Sequence, residues 1–156
     1  TTFTIHLPAA RAPTQPPPEA TAPGELGPWR VLLMDDQSAV RMVATQMLEE
    51  LGCTVMPARN GGEALALFHE ARAAGSPFDL AVLDLTVRGG MGGAELIRRI
   101  REQDPKLFAV VASGYSADPV LAAPGEHGFD AALPKPFSLD GLEAVLARLQ
   151  AAGRRP

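Results

Sequence analysis

The fold is decided by a nine-residue stretch, FDLAVLDLT, at residues 78–86. Its centre, Leu80 to Leu83, is apolar without polar alternation, which is typical of a strand buried on both faces in a parallel sheet. Pro77 precedes the stretch and a glycine-rich loop follows it, so turn-forming residues bound the strand at both ends. Asp84 stands at its carboxyl end, where open parallel sheets bind ligands. Because burying an isolated carboxylate is prohibitive, Asp84 must be solvated, paired or bound to a metal.

The composition fits one ordinary domain with additional residues outside it. Of 156 residues, 46% are hydrophobic and only 5% aromatic, so the core must consist mainly of Leu, Val and Ala. The net charge of −4 argues against a nucleic-acid surface and against direct membrane contact through a basic patch. Cys53 is the only cysteine, which excludes an intramolecular disulfide, and no signal peptide or membrane span is recognisable. We expect a piece of a longer protein, located in the cytoplasm.

Four more apolar runs resemble the stretch around Leu80, and helical patterns separate them. Strands are predicted at residues 30–34, 53–58, 80–84, 108–112 and 131–133. Strands that alternate with helices indicate right-handed crossover units and a parallel sheet. We therefore predict an α/β fold, a doubly wound sheet of five parallel strands with helices on both faces.

The helices are predicted from caps, apolar spacing and stop signals. Ser38 is the expected N-cap of the first helix, which turns Val43 toward the core together with its other apolar residues. The Asn60-Gly61-Gly62 segment is predicted to be a turn. Pro124 interrupts the fourth helix, because proline in a helix interior removes a hydrogen bond and clashes with the preceding turn. Ser138 is the expected N-cap of the last helix.

Polar side chains stand at the carboxyl ends of four predicted strands. Asp35 and Asp36 follow the first strand, Asp84 ends the third, Ser113 ends the fourth and Lys135 follows the fifth. Since all carboxyl ends of a parallel sheet meet at one edge, these groups are expected to converge. Three crowded carboxylates raise one another's pKa values unless a cation lies among them. Lys135 supplies one positive charge, and a hard divalent cation, best Mg²⁺, supplies the rest.

These motifs resemble the receiver domain of two-component response regulators, from Trp29 to about Ala151. The resemblance implies that the predicted α/β fold is flavodoxin-like, with the five parallel strands in the order 2-1-3-4-5. The matching features are the acidic pair Asp35-Asp36, Asp84, Ser113 and Lys135-Pro136. The loop TVRGGMGG at residues 86–93 and the segment SGYS at residues 113–116 are similar to receivers fused to the carboxyl end of hybrid sensor histidine kinases.

The amino-terminal residues resemble another part of such kinases. TTFTIHL at residues 1–7 alternates like a half-buried strand, and residues 1–9 are similar to the closing strand of a kinase ATP-binding domain. The expected organisation is a residual kinase strand at 1–9, a proline-rich linker at 10–28, a receiver at 29–151 and a tail at 152–156.

The resemblance implies that Asp84 accepts a phosphoryl group from phosphohistidine. Lys135 and Ser113 would then contact the phosphoryl oxygens, Gly114 would leave space for the donor, and the Lys135-Pro136 peptide is a candidate cis bond. Whether the acyl phosphate is passed on or hydrolysed by the chain itself stays open.

The resemblance also implies a metal site for Mg²⁺, with Mn²⁺ as an alternative. Asp36 and Asp84 would bind the ion directly with the backbone carbonyl of Thr86, and Asp35 would act mostly through water. The expected partners are a histidine kinase core, its own or separate, and a histidine phosphotransfer protein. The parent is expected to be a bacterial histidine protein kinase, although this chain, which lacks the ATP site, should not label itself from ATP.

Two other functions compete with this interpretation. A receiver-like interaction module with vestigial phosphorylation is favoured by Ala132, which stands where the family's aromatic switch residue is usual, and is opposed by the complete acidic cluster. A haloacid-dehalogenase-type phosphatase also places an Asp nucleophile at a strand end. That enzyme class needs a second Asp two residues after the first, and Thr86 occupies that place.

Overall fold

The computed structural model describes residues 29–88, 90–114 and 119–153. The predicted kinase-like strand at residues 1–7 and the proline-rich segment that follows it lie outside the described residues, so their assignment stays a prediction.

Five parallel strands form a single sheet in the order β2-β1-β3-β4-β5, which confirms the predicted topology. The second strand begins one residue later than predicted, at Thr54, and the last two extend one residue further. The strands are β1 (Arg30–Met34), β2 (Thr54–Ala58), β3 (Leu80–Asp84), β4 (Phe108–Ser113) and β5 (Ala131–Pro134).

Helices follow each strand, as the alternating pattern predicts. They are α1 (Ser38–Glu50), α2 (Gly61–Ala73), α3 (Gly93–Arg101), α4 (Pro119–Ala122) and α5 (Leu139–Ala152). The α4 helix has four residues and stops before a short 3-10 helix that begins at Pro124, so the predicted interruption is confirmed. Within the described ranges, no helix has the length and apolar character needed to cross a membrane.

The sheet has a hydrophobic core on each face, because side chains alternate along every strand. All five residues of β3 are buried, which confirms the double-sided burial predicted from its sequence. Val82 packs on the face covered by α1 and α5, whereas Leu83 packs on the opposite face with residues of α2 and α3. At the opposite end of the sheet from Asp84, Trp29 stacks on Phe108 with ring centroids 5.6 Å apart.

The start of α1 differs from the prediction. Ser38 is the first helical residue, and Gln37 occupies the cap position without a side-chain hydrogen bond. The amide of Gln37 instead donates to Asp35 Oδ1 at 2.8 Å, so the acidic pair shapes the turn into the helix. The inward orientation of Val43 is also wrong, because α1 buries a narrow stripe that includes Leu48 and leaves Val43 42% exposed.

The start of α2 differs as well, because Gly61 and Gly62 are its first residues and not part of a turn. Asn60 is the N-cap, and its Oδ1 accepts a hydrogen bond from the amide of Glu63 at 3.0 Å. Glycine suits this position because a Cβ at Gly61 would lie 2.5 Å from the carbonyl oxygen of Met91. The predicted cap of α5 is confirmed by a bond from a backbone amide to Ser138 Oγ.

Candidate functional site

Strand register brings the predicted polar residues to one edge of the sheet. The last residue of β1, Met34, pairs with Leu83, so Asp35 and Asp84 leave neighbouring strands at the same level. On the other side of β3, Asp84 pairs with Ala112, which precedes Ser113 in β4. The carboxyl ends of the strands therefore form one site, as the parallel topology predicts.

Lys135 lies between two buried carboxylates of this site. Its Nζ donates to Asp35 Oδ2 at 2.5 Å and lies 3.0 Å from Asp84 Oδ1. Asp35 is 3% exposed, Asp84 is 4% exposed and the Lys135 side chain is 11% exposed, so water screens these charges poorly. One ammonium thus compensates part of the charge of two carboxylates, and the site has an excess of negative charge.

Burial raises the pKa of Asp84 above its ordinary value, because desolvation disfavours the carboxylate. The hydrogen bond and the positive charge of Lys135 act in the opposite direction, and the negative charge of Asp35 adds to the increase. A nearby cation therefore favours the ionised form of Asp84.

The two members of the acidic pair have different surroundings. Both oxygens of Asp35 accept hydrogen bonds within the protein, Oδ1 from the amide of Gln37 and Oδ2 from Lys135. Asp36 is only half-buried, and its Oδ2 accepts a bond from the amide of Arg88 at 3.3 Å. Asp36 therefore has more free acceptor capacity than Asp35.

Carboxylate oxygens of Asp35, Asp36 and Asp84 all lie within 4.8 Å of one another. Hard divalent cations such as Mg²⁺ prefer oxygen ligands of this kind, and they relieve the repulsion among the carboxylates. The donor set therefore fits Mg²⁺. Because each oxygen of Asp35 already accepts a bond from a protein donor, the other two carboxylates are the better direct ligands.

The remaining predicted residues border this cluster. Ser113 is buried at the end of β4, and its carbonyl oxygen accepts the amide of Lys135 at 2.8 Å, which connects the two site residues through the backbone. The Lys135–Pro136 peptide is cis, as predicted. Thr86 is exposed, and its amide lies 3.5 Å from Asp84 Oδ1, a long hydrogen bond, while the metal-binding role of its carbonyl stays a prediction. Among the described residues, no heavy atom beyond the chain neighbours lies within 4 Å of a Cβ built on Gly114.

Sequence reasoning missed two arginines that contact the acidic pair. Arg41 Nη1 donates to the backbone carbonyl oxygen of Asp35 at 2.6 Å, and the amide of Arg88 donates to Asp36. Helical side chains point back toward the amino end of their helix, so a cation in the first turns of α1 was the available signal for Arg41. A backbone amide such as that of Arg88 leaves no signal in the side-chain pattern.

Comparisons with curated proteins find receivers in several kinds of signalling protein. The chain is 36% identical over 126 residues to the sensor kinase CckA of Brucella abortus, covering 79% of this chain and 13% of that protein. It is 35% identical over 132 residues to ethylene receptor 4 of Oryza sativa subsp. indica, covering 77% and 17%. The chain thus spans less than half the length of these relatives.

Solved structures with the same fold include receivers from archaea and bacteria. The CheY-like receiver domain protein of Methanospirillum hungatei is 28% identical with a TM-score of 0.67, covering 81% of this chain and 99% of that one. The response regulator TrrA of Thermotoga maritima, solved in complex with Mg²⁺-BeF, is 26% identical with a TM-score of 0.67, covering 78% and 98%. The sequence model of the response regulator receiver domain matches residues 31–147, three quarters of the chain. Together with the parallel sheet and its acidic edge, this match shows that the chain belongs to the response regulator receiver domain family of two-component systems.

Proposed function

We propose that this chain accepts a phosphoryl group from a phosphohistidine onto Asp84, with Mg²⁺ as the cofactor. The observation that carries the proposal is the surroundings of the Asp84 carboxylate. A lysine ammonium lies 3.0 Å from one of its oxygens, and two further carboxylates lie within 4.8 Å. A structural ion pair leaves the further carboxylates unexplained, whereas a Mg²⁺ site, which uses one or two carboxylates directly and others through water, accounts for them.

In the proposed transfer, an oxygen of Asp84 attacks the phosphorus of the donor. The new P–O bond forms as the P–N bond to the donor imidazole breaks, and the electron pair of that bond returns to the imidazole nitrogen. Phosphoryl transfer of this kind depends on positioning and charge neutralisation more than on covalent help from the protein. Lys135 can follow the charge from the carboxylate to the phosphoryl oxygens, because its Nζ already lies against Asp84.

The metal would be bound by Asp36, Asp84 and the carbonyl of Thr86, with Asp35 acting through water. When bound, Mg²⁺ neutralises the phosphoryl oxygens and reduces repulsion between them and the carboxylates. Burial raises the pKa of Asp84, whereas the adjacent positive charge of Lys135 lowers it and favours the ionised carboxylate that the reaction needs. Ser113 would donate to a phosphoryl oxygen from the end of β4.

We assign the chain to the carboxyl-terminal part of a hybrid sensor histidine kinase, and we expect this part to lie in the cytoplasm whether or not the parent protein is anchored in a membrane. Support comes from the kinase-like residues 1–9, the proline-rich linker at 10–28 and the similarity of the chain to a sensor kinase over 126 residues. The phosphodonor is then its own kinase core, a separate one or a histidine phosphotransfer protein. The fragment should not label itself from ATP, and labelling from ATP alone would contradict this part of the proposal.

The second candidate function is an interaction module in which phosphorylation is vestigial. Ala132 and the four-residue α4 helix favour it, because a half-buried alanine cannot rotate inward as a large aromatic side chain can. The complete set of carboxylates around Lys135 favours the phosphoacceptor.

Intact-protein mass spectrometry after incubation with acetyl phosphate and MgCl₂ separates these functions. We expect a hydroxylamine-labile gain of one phosphoryl group in the wild type and in Asp140→Asn, an exposed control, but not in Asp84→Asn. A gain that persists in Asp84→Asn would contradict the assignment of the acceptor. If neither acetyl phosphate nor a phosphorylated kinase core labels the wild type, the interaction module is the better description.

A further inference from the structure

The turn that carries the acidic pair is fastened by an arginine that belongs to none of the predicted motifs. We propose that Arg41 is a positioning residue for the metal site, and that its guanidinium sets the direction in which Asp36 faces Asp84. The inference rests on the proposed function, because it gives Arg41 a part in binding the cation that the phosphoryl transfer uses.

The argument begins with one hydrogen bond. Arg41 is half-buried in α1, and its Nη1 donates to the backbone carbonyl oxygen of Asp35 at 2.6 Å. A guanidinium is always charged and has a rigid planar fork of donors, so this bond is short and directional. It restrains the backbone of the acidic pair without using either carboxylate.

The restrained carbonyl is the one that joins the two acidic residues. Because a peptide unit is planar, the carbonyl oxygen of Asp35 lies in the same plane as the amide nitrogen and Cα of Asp36. Fixing that oxygen therefore fixes the plane from which the Asp36 side chain departs. A rotation of this peptide would move the Asp36 carboxylate away from the other two.

Neighbouring bonds hold the turn on both sides of this peptide. The amide of Asp35 donates to the carbonyl of Ala58 at 3.1 Å, and the amide of Gln37 donates to Asp35 Oδ1 at 2.8 Å. The peptide between Asp35 and Asp36 is held by Arg41. Asp36 itself gains a weaker contact of 3.3 Å from the amide of Arg88, which lies on an exposed loop.

The charge of Arg41 and its proposed positioning role have opposite effects on Mg²⁺ affinity. A positive charge beside a cation site repels the cation, so removing the charge of Arg41 should strengthen Mg²⁺ binding if charge were its only contribution. Loss of positioning should weaken binding, since partners that orient metal ligands are typically worth about 10-fold to 100-fold in metal affinity. The sign of the change therefore separates the two roles.

The test is calorimetric titration of MgCl₂ into wild type, Arg41→Met and Arg72→Met. Arg72 is a matched control, because its Nη1 also donates to a backbone carbonyl, that of Gln103 at 2.8 Å, from the last turn of α2. We expect the Kd for Mg²⁺ to rise about 10-fold in Arg41→Met and to stay unchanged in Arg72→Met. A Kd for Arg41→Met equal to or below that of the wild type would overturn the inference. Urea unfolding in EDTA checks that each variant is folded.

Arg41→Lys gives a second readout and takes the place of Arg41→Met if that variant does not fold. It keeps the charge but replaces the rigid fork with a flexible point donor, so we expect a smaller, several-fold rise in Kd. An unchanged or lower Kd in Arg41→Lys would overturn the inference in that case.

Labelling by acetyl phosphate in the same preparations distinguishes failure of this inference from failure of the proposed function. If the wild type is labelled on Asp84 and Arg41→Met binds Mg²⁺ as tightly as the wild type, only the role of Arg41 is wrong. If the wild type binds no Mg²⁺, both proposals are wrong.

Discussion

Replacing Lys135 by Met should destabilise the protein in the absence of metal. The change removes an ammonium that bonds Asp35 Oδ2 at 2.5 Å and Asp84 Oδ1 at 3.0 Å, and keeps an apolar side chain of similar length. Both carboxylates then stay buried at one end of the sheet without that partner. Removing one member of a buried ion pair costs more than the pair contributes, because the other charge is left uncompensated.

The size of the effect follows from these contacts. Hydrogen bonds to charged groups contribute about 1.5–3 kcal/mol each, so two such bonds set an upper range of roughly 3–6 kcal/mol. Asp84 can recover part of this by binding a proton, because its pKa, already raised by burial, rises further without Lys135. We therefore expect the free energy of unfolding to fall by about 3 kcal/mol, the lower end of values for broken buried pairs.

The assay is urea unfolding near neutral pH in EDTA, followed by the fluorescence of Trp29, the only tryptophan of the chain. Lys106→Met is the matched control, because Lys106 is exposed. A carboxyl group with a raised pKa destabilises the folded state above that pKa, and this destabilisation disappears as the pH falls through it. The difference in free energy of unfolding between wild type and Lys135→Met should therefore shrink at low pH. Equal losses in the Lys135 and Lys106 variants, or a deficit that grows in acid, would refute this reasoning.

Three further predictions concern single residues. Asp84→Asn should raise the free energy of unfolding in EDTA, because burial penalises the charged form of Asp84 and Asn carries no charge. A lower free energy of unfolding in urea for Asp84→Asn than for the wild type would contradict this prediction. Gly61→Ala should lower the thermal midpoint, with a cost of about 1–3 kcal/mol, because its Cβ would lie 2.5 Å from the carbonyl oxygen of Met91; Gly125→Ala, which meets open space, should change it little by comparison. Burial raises the pKa of the Cys53 thiol to about 11, so at about pH 8 roughly one molecule in a thousand carries the thiolate. A disulfide reagent should therefore react slowly with Cys53 until urea unfolds the chain. Rapid reaction of the folded protein would contradict this prediction.

The position of the site could be predicted from the sequence because it depends on few facts. Five strands that alternate with helices must be parallel, and parallel strands place Asp35, Asp84 and Lys135 at one edge whatever the details of the helices. The double-sided burial of residues 80–84 follows from their apolar pattern, and the strand order 2-1-3-4-5 is implied by the resemblance to receiver domains. The structure confirms both.

The contacts within the site could not be predicted, because they depend on rotamers and loop backbone. The pairing of Lys135 with both Asp35 and Asp84, and the bond from Arg41 to the backbone of Asp35, follow from three-dimensional geometry that spacing does not encode. The predicted starts of the first two helices were wrong for a related reason. Ser38 is a good cap by residue type, but the amide of Gln37 already bonds the side chain of Asp35, and the chain enters the helix accordingly.

The central claim is that Asp84 carries the phosphoryl group, and borohydride reduction followed by peptide mapping tests it most directly. Borohydride converts an aspartyl phosphate to homoserine, which fragmentation mass spectrometry locates in the sequence. After incubation with a phosphorylated kinase core and MgCl₂, we expect homoserine at position 84 and aspartate unchanged at Asp35 and Asp36. Homoserine at either member of the acidic pair, or aspartate retained at position 84 in protein that carries the label, would contradict the account.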